Sequence, residues 1–396
     1  MEPDGVGLCG FVIEPLVFGS WLCGLVAIQI YDSSHIHTRA KSCASLINTG
    51  KNAMPATDAT FEDMRDILKS VPGPNNAARA AVAARNAELT KPDGSLGRLE
   101  DLVRWFATWQ GKDTLQLERP RVAIFVANHG VAAPGAVSGG VSAFPQAVTT
   151  QMVANFQSGG AAINQLCTVA DAELRVYEMG LDHPTADFTV DAAMTEGDCA
   201  RAMAYGMMAV EDGVDVLCLG EMGIGNTTSA AALSCALFGG APGEWVGPGT
   251  GVDAAGVARK AAVVASAVAV HGVAFDDPLE ALRRVGGLEL AAIAGAVLAA
   301  RMARVPVILD GFACCAAAAV LHRLDPGALD HCIVGHRSVE PGHGLLLDAI
   351  GKAPVLDLGL RLGEASGAAT ALLVLRAAIA CHTGMATFAE AGVSQS

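Results

Sequence analysis

Charge is scarce in this chain, and positive charge scarcer still. Only 17% of the 396 residues are acidic or basic, and 26 bases against 40 acids leave a formal net charge of −14. A surface of that sign excludes sequence-independent nucleic-acid binding, which needs a basic footprint. It does not exclude a phosphate ligand, because a local site can oppose the global sign. No Cys-x-x-Cys pair occurs among the 11 cysteines, and most lie in apolar runs such as Cys314-Cys315. That argues against a disulfide framework and a zinc site, and for reduced, buried thiols in a cytoplasmic protein with no metal. Internal repeats are missing, as is any long linker after residue 60. What remains is 52% apolar, enough for a large core and too much for global disorder.

The first 57 residues stand apart. Residues 16–31 (LVFGSWLCGLVAIQIY) are uncharged and apolar, but a little short for a membrane-spanning helix. Acids and no base precede them, which speaks against a secretory signal. We expect residues 1–57 to be a disordered extension or a weakly apolar anchor, with membrane contact through residues 16–31 the less favoured of the two.

From about Thr60 the pattern is regular. Residues 61–68, 75–89 and 100–109 read as helices. Short β-rich runs then alternate with Ala-rich helical ones: residues 122–126, 174–177, 214–219, 305–309 and 332–334. Brief apolar strands separated by helices imply a parallel sheet covered on both faces. In such sheets ligands bind beyond the carboxyl ends of the strands. The least ordinary residues fall there: Asn128-His129-Gly130, the Gly220–Asn226 loop, Asp310-Gly311-Phe312 and Gly335–Ser338.

Five segments carry possible chemistry. The stretch GEMGIGNTTSAAAL (Gly220–Leu233) opens a helix after a strand. Gly223 and Gly225 let a backbone approach a ligand, and Asn226 can cap the helix, so the loop is either an anion site or a plain tight turn. It is neither a Walker A loop nor a GxGxxG fingerprint. Glu221 would repel a phosphate and better faces a sugar hydroxyl or a cationic ring. GPGTGVD (Gly247–Asp253) resembles a second backbone nest, with Lys260 as its cation or as a solvated helix residue. In GHRSVEPGH (Gly335–His343), Ser338 suits a phosphate or hydroxyl partner; the histidine spacing does not suit zinc. In GVSAFPQAVTTQMV (Gly140–Val153), Ser142, Phe144 and Gln151 either line a pocket for a flat heterocycle or pack in the core. Glu364, in GLRLGEASGAA, precedes a strongly apolar helix. A helix N-terminus lowers its pKa and desolvation raises it, so it is a general base or a helix-capping carboxylate.

Taken together, KPDGSLGRLE, NHGV, GVSAFPQAVTTQMV, GEMGIGNTT, GPGTGVD, ILDGF, GHRSVEPGH and LGLRLGEASGAA resemble, in order and spacing, the nicotinate-nucleotide–dimethylbenzimidazole phosphoribosyltransferases of cobalamin biosynthesis. The resemblance runs from about Thr60 to the C-terminus. It implies an α/β fold, a Rossmann-like parallel sheet flanked by helices. A smaller helical part would come from residues 58–110 and the C-terminal helices of a 58–396 catalytic domain. It implies a homodimer with no cofactor. The reaction moves the 5-phosphoribosyl group of nicotinate mononucleotide to 5,6-dimethylbenzimidazole, giving α-ribazole 5′-phosphate and nicotinate. Glu364 and Glu221 fall on the family's active-site glutamates. Gly223, Gly225, Asn226, Lys260 and Ser338 fall on the nucleotide-phosphate segments, and Ser142, Phe144 and Gln151 on the base pocket. One departure is Asn128-His129-Gly130, where the family usually has Asp-His-Gly. The competing readings are transfer onto another base and a non-catalytic nucleotide or base sensor on the same fold.

Overall fold

A six-stranded, wholly parallel sheet forms the centre of the computed structural model, which describes residues 59–394 except 113, 114, 116, 134, 135 and 137–139. The extension expected over residues 1–57, and with it the apolar run 16–31, lies outside the described residues. The strands are β1 (Pro120–Val126), β2 (Glu173–Glu178), β3 (Val216–Met222), β4 (Val307–Leu309), β5 (Cys332–His336) and β6 (Pro354–Leu356). All seven residues of β1 are buried, which is why Val122–Val126 reads as an unbroken apolar run rather than an alternating one. Five strands match the runs read from sequence. β4 starts later than expected because Pro306, which has no N–H, precedes it and serves only as acceptor for Leu217. β6 carried no signal: it begins on proline and pairs with β5 at only two positions, as an edge strand tolerates.

Helices connect the strands. Ahead of β1 come α1 (Phe61–Lys69), α2 (Asn76–Glu88) and α3 (Arg98–Gln110), close to the expected spans. Then follow α4 (Ala147–Gln157), α5 (Ala162–Ala170), α6 (Glu196–Met207), α7 (Asn226–Phe238), α8 (Pro242–Trp245), α9 (Ala254–His271), α10 (Pro278–Val285), α11 (Leu288–Met302), α12 (Phe312–Leu324), α13 (Pro341–Ala349), α14 (Ser366–Gly384) and α15 (Phe388–Ala391). One core joins Leu102 and Phe106 of α3, alternate residues of β1 (Val122, Ile124, Val126), and Ala368, Leu372 and Leu375 of α14. α14 is long and apolar enough to cross a membrane by composition, but its apolar side is spent on this sheet. The two ends of the described chain also meet: Arg85 of α2 donates to the His382 carbonyl at 3.0 Å, and Leu89 bridges to Thr387.

The strand order is β2-β1-β3-β4-β5-β6. The chain steps outward from β1 to β2, then returns past β1 to β3 and continues the other way. That reversal leaves a crevice between the carboxyl ends of β1 and β3, the position at which open α/β sheets bind ligands. Asn128-His129 leaves β1 there, and Glu221 is the last residue but one of β3.

Candidate active site

Glu364 sits in an unusual turn. Gly363, Glu364 and Ala365 have φ of 82°, 59° and 58°, three consecutive left-handed residues of which two carry a Cβ. Such backbone costs energy and persists where its surroundings over-determine it. The Glu364 N–H donates to the Glu221 carbonyl at 3.2 Å, and the Ser366 N–H to the Gly363 carbonyl at 3.0 Å. β3 presses directly on the turn: a methyl on Gly220 would overlap the Ala365 backbone. Asp310, at the end of β4, accepts from the Gly367 and Ala368 N–H groups at 2.7 and 3.0 Å. The cap of α14 therefore comes from a different segment, and no side chain at its own N-cap supplies one. The capping reading of Glu364 gives way to Asp310.

Burial decides the protonation of these acids. Glu364 is 5% exposed, and desolvation pushes its carboxyl up to about 7, with the Asp310 charge adding. The helix N-terminus does not win. Glu221 opens partly to the crevice, yet its carboxyl is pushed up to about 8. Desolvation is again the first cause; the charges of Asp310 and Glu289 come next, a hydrogen bond from Asn226 opposes them, and Glu364 adds. The Glu221 carboxylate also lies against Gly363, where an added methyl would stand 2.6 Å from Oε1. Two acids with elevated pKa thus lie next to each other, joined through the Glu364 N–H and the Glu221 carbonyl.

The expected phosphate groups gather beside them. Gly225 (φ 99°) precedes α7 as its N-cap residue. Gly223, Gly225, Asn226, Thr227, Pro248, Gly249, Thr250 and Ser142 line one cleft. Lys260 of α9 is 1% exposed, which overturns the solvated reading. Its ammonium donates to the Gly247 carbonyl at 2.8 Å and to Thr227 Oγ1 at 3.2 Å. Glu340 accepts from the Gly249 N–H at 2.8 Å, and its own N–H donates to Ser338 Oγ at 3.3 Å, which ties Ser338 to the same loop. The base-pocket residues are less closely drawn in. Ser142 lines the cleft, Phe144 is 49% exposed and so is no core residue, and Gln151 is exposed on α4. A larger hollow at the amino ends of β1 and β2, lined by Arg119, Asn164 and Glu173 among others, holds none of the expected residues.

Sequence reasoning missed the second layer. Thr149 Oγ1 of α4 accepts from the Ile224 N–H, and Gln146 donates to the His129 carbonyl, so α4 is stitched to both loops of the crevice. His129 lies 2.7 Å from Glu289 and 3.2 Å from Ser229, all buried. This is not a nucleophilic triad, because the Ser229 hydroxyl is engaged with the Val285 and Gly286 carbonyls. Asn128 donates to the Leu181 carbonyl at 2.9 Å, a bond that an ionised aspartate in its place could not make. The strand-end positions of Asn128, His129 and Asp310 had singled them out without their partners; Ser229 and Glu289 had no sequence signal.

A family model described as phosphoribosyltransferase matches residues 71–393. Nicotinate-nucleotide–dimethylbenzimidazole phosphoribosyltransferases of Brucella anthropi and Brucella canis are 54% and 55% identical over 343 residues, 87% of this chain and the whole of each relative. The chain belongs to this phosphoribosyltransferase family. The fold agrees: the solved phosphoribosyltransferase named CobT from Thermus thermophilus superposes with a TM-score of 0.75 at 43% identity, over 81% of this chain and all of that one. A second Thermus thermophilus structure, titled nicotinate-nucleotide–dimethylbenzimidazole phosphoribosyltransferase, gives 0.74 at 42% identity and the same coverage. In this phosphoribosyltransferase, Glu221 at the end of β3 and the Gly223–Asn226 loop stand next to the turn that carries Glu364.

Proposed function

We propose that the protein transfers the 5-phosphoribosyl group of nicotinate mononucleotide to 5,6-dimethylbenzimidazole, releasing nicotinate and α-ribazole 5′-phosphate, as an enzyme of cobalamin nucleotide-loop assembly. The observation that carries this reading is Glu364, a buried carboxyl held in a left-handed turn beside Glu221, where desolvation pushes its pKa up to about 7. The C1′–N bond to the pyridinium breaks with its electron pair going to the ring nitrogen, so nicotinate departs without needing a proton. One benzimidazole nitrogen forms the new C1′–N bond from the opposite face, and the other must lose its hydrogen. A single general base suffices, and Glu364 takes that proton.

Glu221 bears on the sugar. The ribose passes through an oxocarbenium-like state, which a nearby carboxylate stabilises in a poorly solvated site. An acidic crevice also favours the cationic pyridinium of the donor. The 5′-phosphate is assigned to the N-terminus of α7 at Asn226, the Gly223 and Gly225 loop, the Lys260 ammonium and the Ser338 hydroxyl, where backbone N–H groups and one buried cation offset its charge. Ser142, Phe144 and Gln151 are assigned to the base. No cofactor or metal enters this chemistry. A homodimer in the cytoplasm belongs to the same proposal, in keeping with the family resemblance and with the unpaired cysteines among the described residues, all but Cys381 buried.

Glu364→Gln tests the base. We expect kcat to fall by about 10²–10⁴-fold, the range of a lost general base, with nicotinate mononucleotide binding retained by calorimetry. In the unmodified protein kcat/KM should rise with pH through about 7, as the base ionises. A Glu364→Gln variant within twofold of the original rate would remove Glu364 from the mechanism.

A further inference from the structure

We propose that Asp310 is a positioning residue for this reaction: from the end of β4 it clamps the first turn of α14 and thereby holds the Gly363-Glu364-Ala365 turn that presents the base. The inference rests on Glu364 being that base. Asp310 is 1% exposed and lies 57 residues before Gly367 in sequence, yet one of its oxygens takes both the Gly367 and the Ala368 N–H groups. Its own backbone is pinned between strands, with the Asp310 N–H donating to Leu219 of β3 and the Asp310 carbonyl accepting from His336 of β5. The clamp is thus anchored in the sheet, while the turn it holds is backbone that two non-glycine residues would not adopt unaided.

An ordinary helix cap would not need this residue. An asparagine would accept the same two N–H groups without carrying a charge into the interior. The Ala365 N–H also acts on the Asp310 carboxylate, yet its second oxygen makes no full hydrogen bond among the described residues, an arrangement that costs free energy when buried. What the carboxylate adds is its field. Its charge acts on Glu221 and Cys218 of β3, Glu364 in the turn, and Cys314 and Cys315 of α12, while His336 of β5 lies 3.7 Å away; Glu289 of α11 also acts on Glu221. These are acids, thiols and one histidine, so Asp310, once ionised, opposes ionisation of both site glutamates. One residue fixes where the base stands and when it is charged.

The test compares Asp310→Asn, which keeps the clamp and removes the charge, with Asp310→Ala, which removes both. Steady-state kinetics with nicotinate mononucleotide and dimethylbenzimidazole would be run from about pH 5.5 to 9, spanning both limbs of an acid–base profile. Asp310→Ala should lose about 100-fold in kcat, the scale of a misplaced catalytic group, with KM changed less than about threefold. Asp310→Asn should recover most of that loss, and its kcat/KM should hold to lower pH because Glu364 is relieved of a neighbouring charge. An Asp310→Asn profile whose acid limb has not moved overturns the proposal, as does an Asp310→Ala protein with full kcat. If Asp310→Ala does not fold, the Asp310→Asn limb alone decides. Glu364→Gln, measured in parallel, separates the two claims: full activity there defeats the base and this proposal together, whereas an inactive Glu364→Gln with an unmoved Asp310→Asn limb defeats only the role of Asp310.

Discussion

Lys260 and its neighbour Arg259 are adjacent cations on one helix with opposite fates. The Arg259 guanidinium stays exposed and reaches the Gly140 carbonyl, while Lys260 points inward, where burial pulls its pKa down and Glu340 partly restores it. A lysine whose hydration has been stripped is a stronger partner for a phosphate than a solvated one, since the screening water is gone. Lys260→Met keeps the length and loses the charge. Hydrogen bonds to charged groups contribute about 1.5–3 kcal/mol, so the KM for nicotinate mononucleotide should rise by roughly ten- to a hundredfold, with the KM for the benzimidazole little changed. Equal losses for both substrates would place Lys260 in the scaffold instead. The helical pattern of α9 was legible in the sequence; which of two neighbouring cations turned inward was not, because that depends on where the Gly247–Gly251 loop passes.

At the level of elements, the start of α14 is the junction on which the site depends. Its first turn approaches β5 so closely that a methyl on Gly367 would overlap the buried His336 ring, and one on Gly335 would stand 2.8 Å from the Ala368 Cα. Gly367→Ala should therefore force the helix off the strand ends. Overpacking of this kind costs about 1–3 kcal/mol, which for a chain of this size is a Tm loss of roughly 2–10 °C by calorimetry. The turn carrying Glu364 should shift with it, so kcat should fall more than the remaining folded fraction explains. An unchanged Tm would mean that His336 can rotate away. The sequence offered GEASGAA as a turn followed by an apolar helix; that two of its small residues are contact points with β5 emerges only when strand and helix are brought together.

For the molecule as a whole, the buried acids make a prediction about pH. Glu221 and Glu364 have folded pKa values raised to about 8 and about 7, above the ordinary glutamate value of 4.5. Asp310 is likewise raised to about 7 from 3.8, by desolvation against its backbone hydrogen bonds. A folded pKa above the unfolded one means that the fold binds the proton more tightly, so the stabilisation is complete below the unfolded value and is lost as pH rises through the folded one. The ligand-free protein should lose Tm as pH rises from about 4.5 to about 8, and Glu221→Gln, neutral throughout, should show a shallower decline. Parallel curves for the two proteins would mean that Glu221 is not protonated in the fold. The parallel sheet, the positions of the strand-end loops and an acid set among small apolar residues were all determined by the sequence itself. Periodicity and turn chemistry act between near neighbours in the chain, and the motifs that carry the family resemblance are local in the same sense. The tertiary structure decided that Asp310 rather than Glu364 caps α14, that Lys260 is dry, and that burial rather than the helix N-terminus sets the ionisation of Glu364. Those outcomes depend on desolvation and on charges acting through space, and the residues responsible lie tens to more than a hundred positions apart until β3, β4 and α14 pack together.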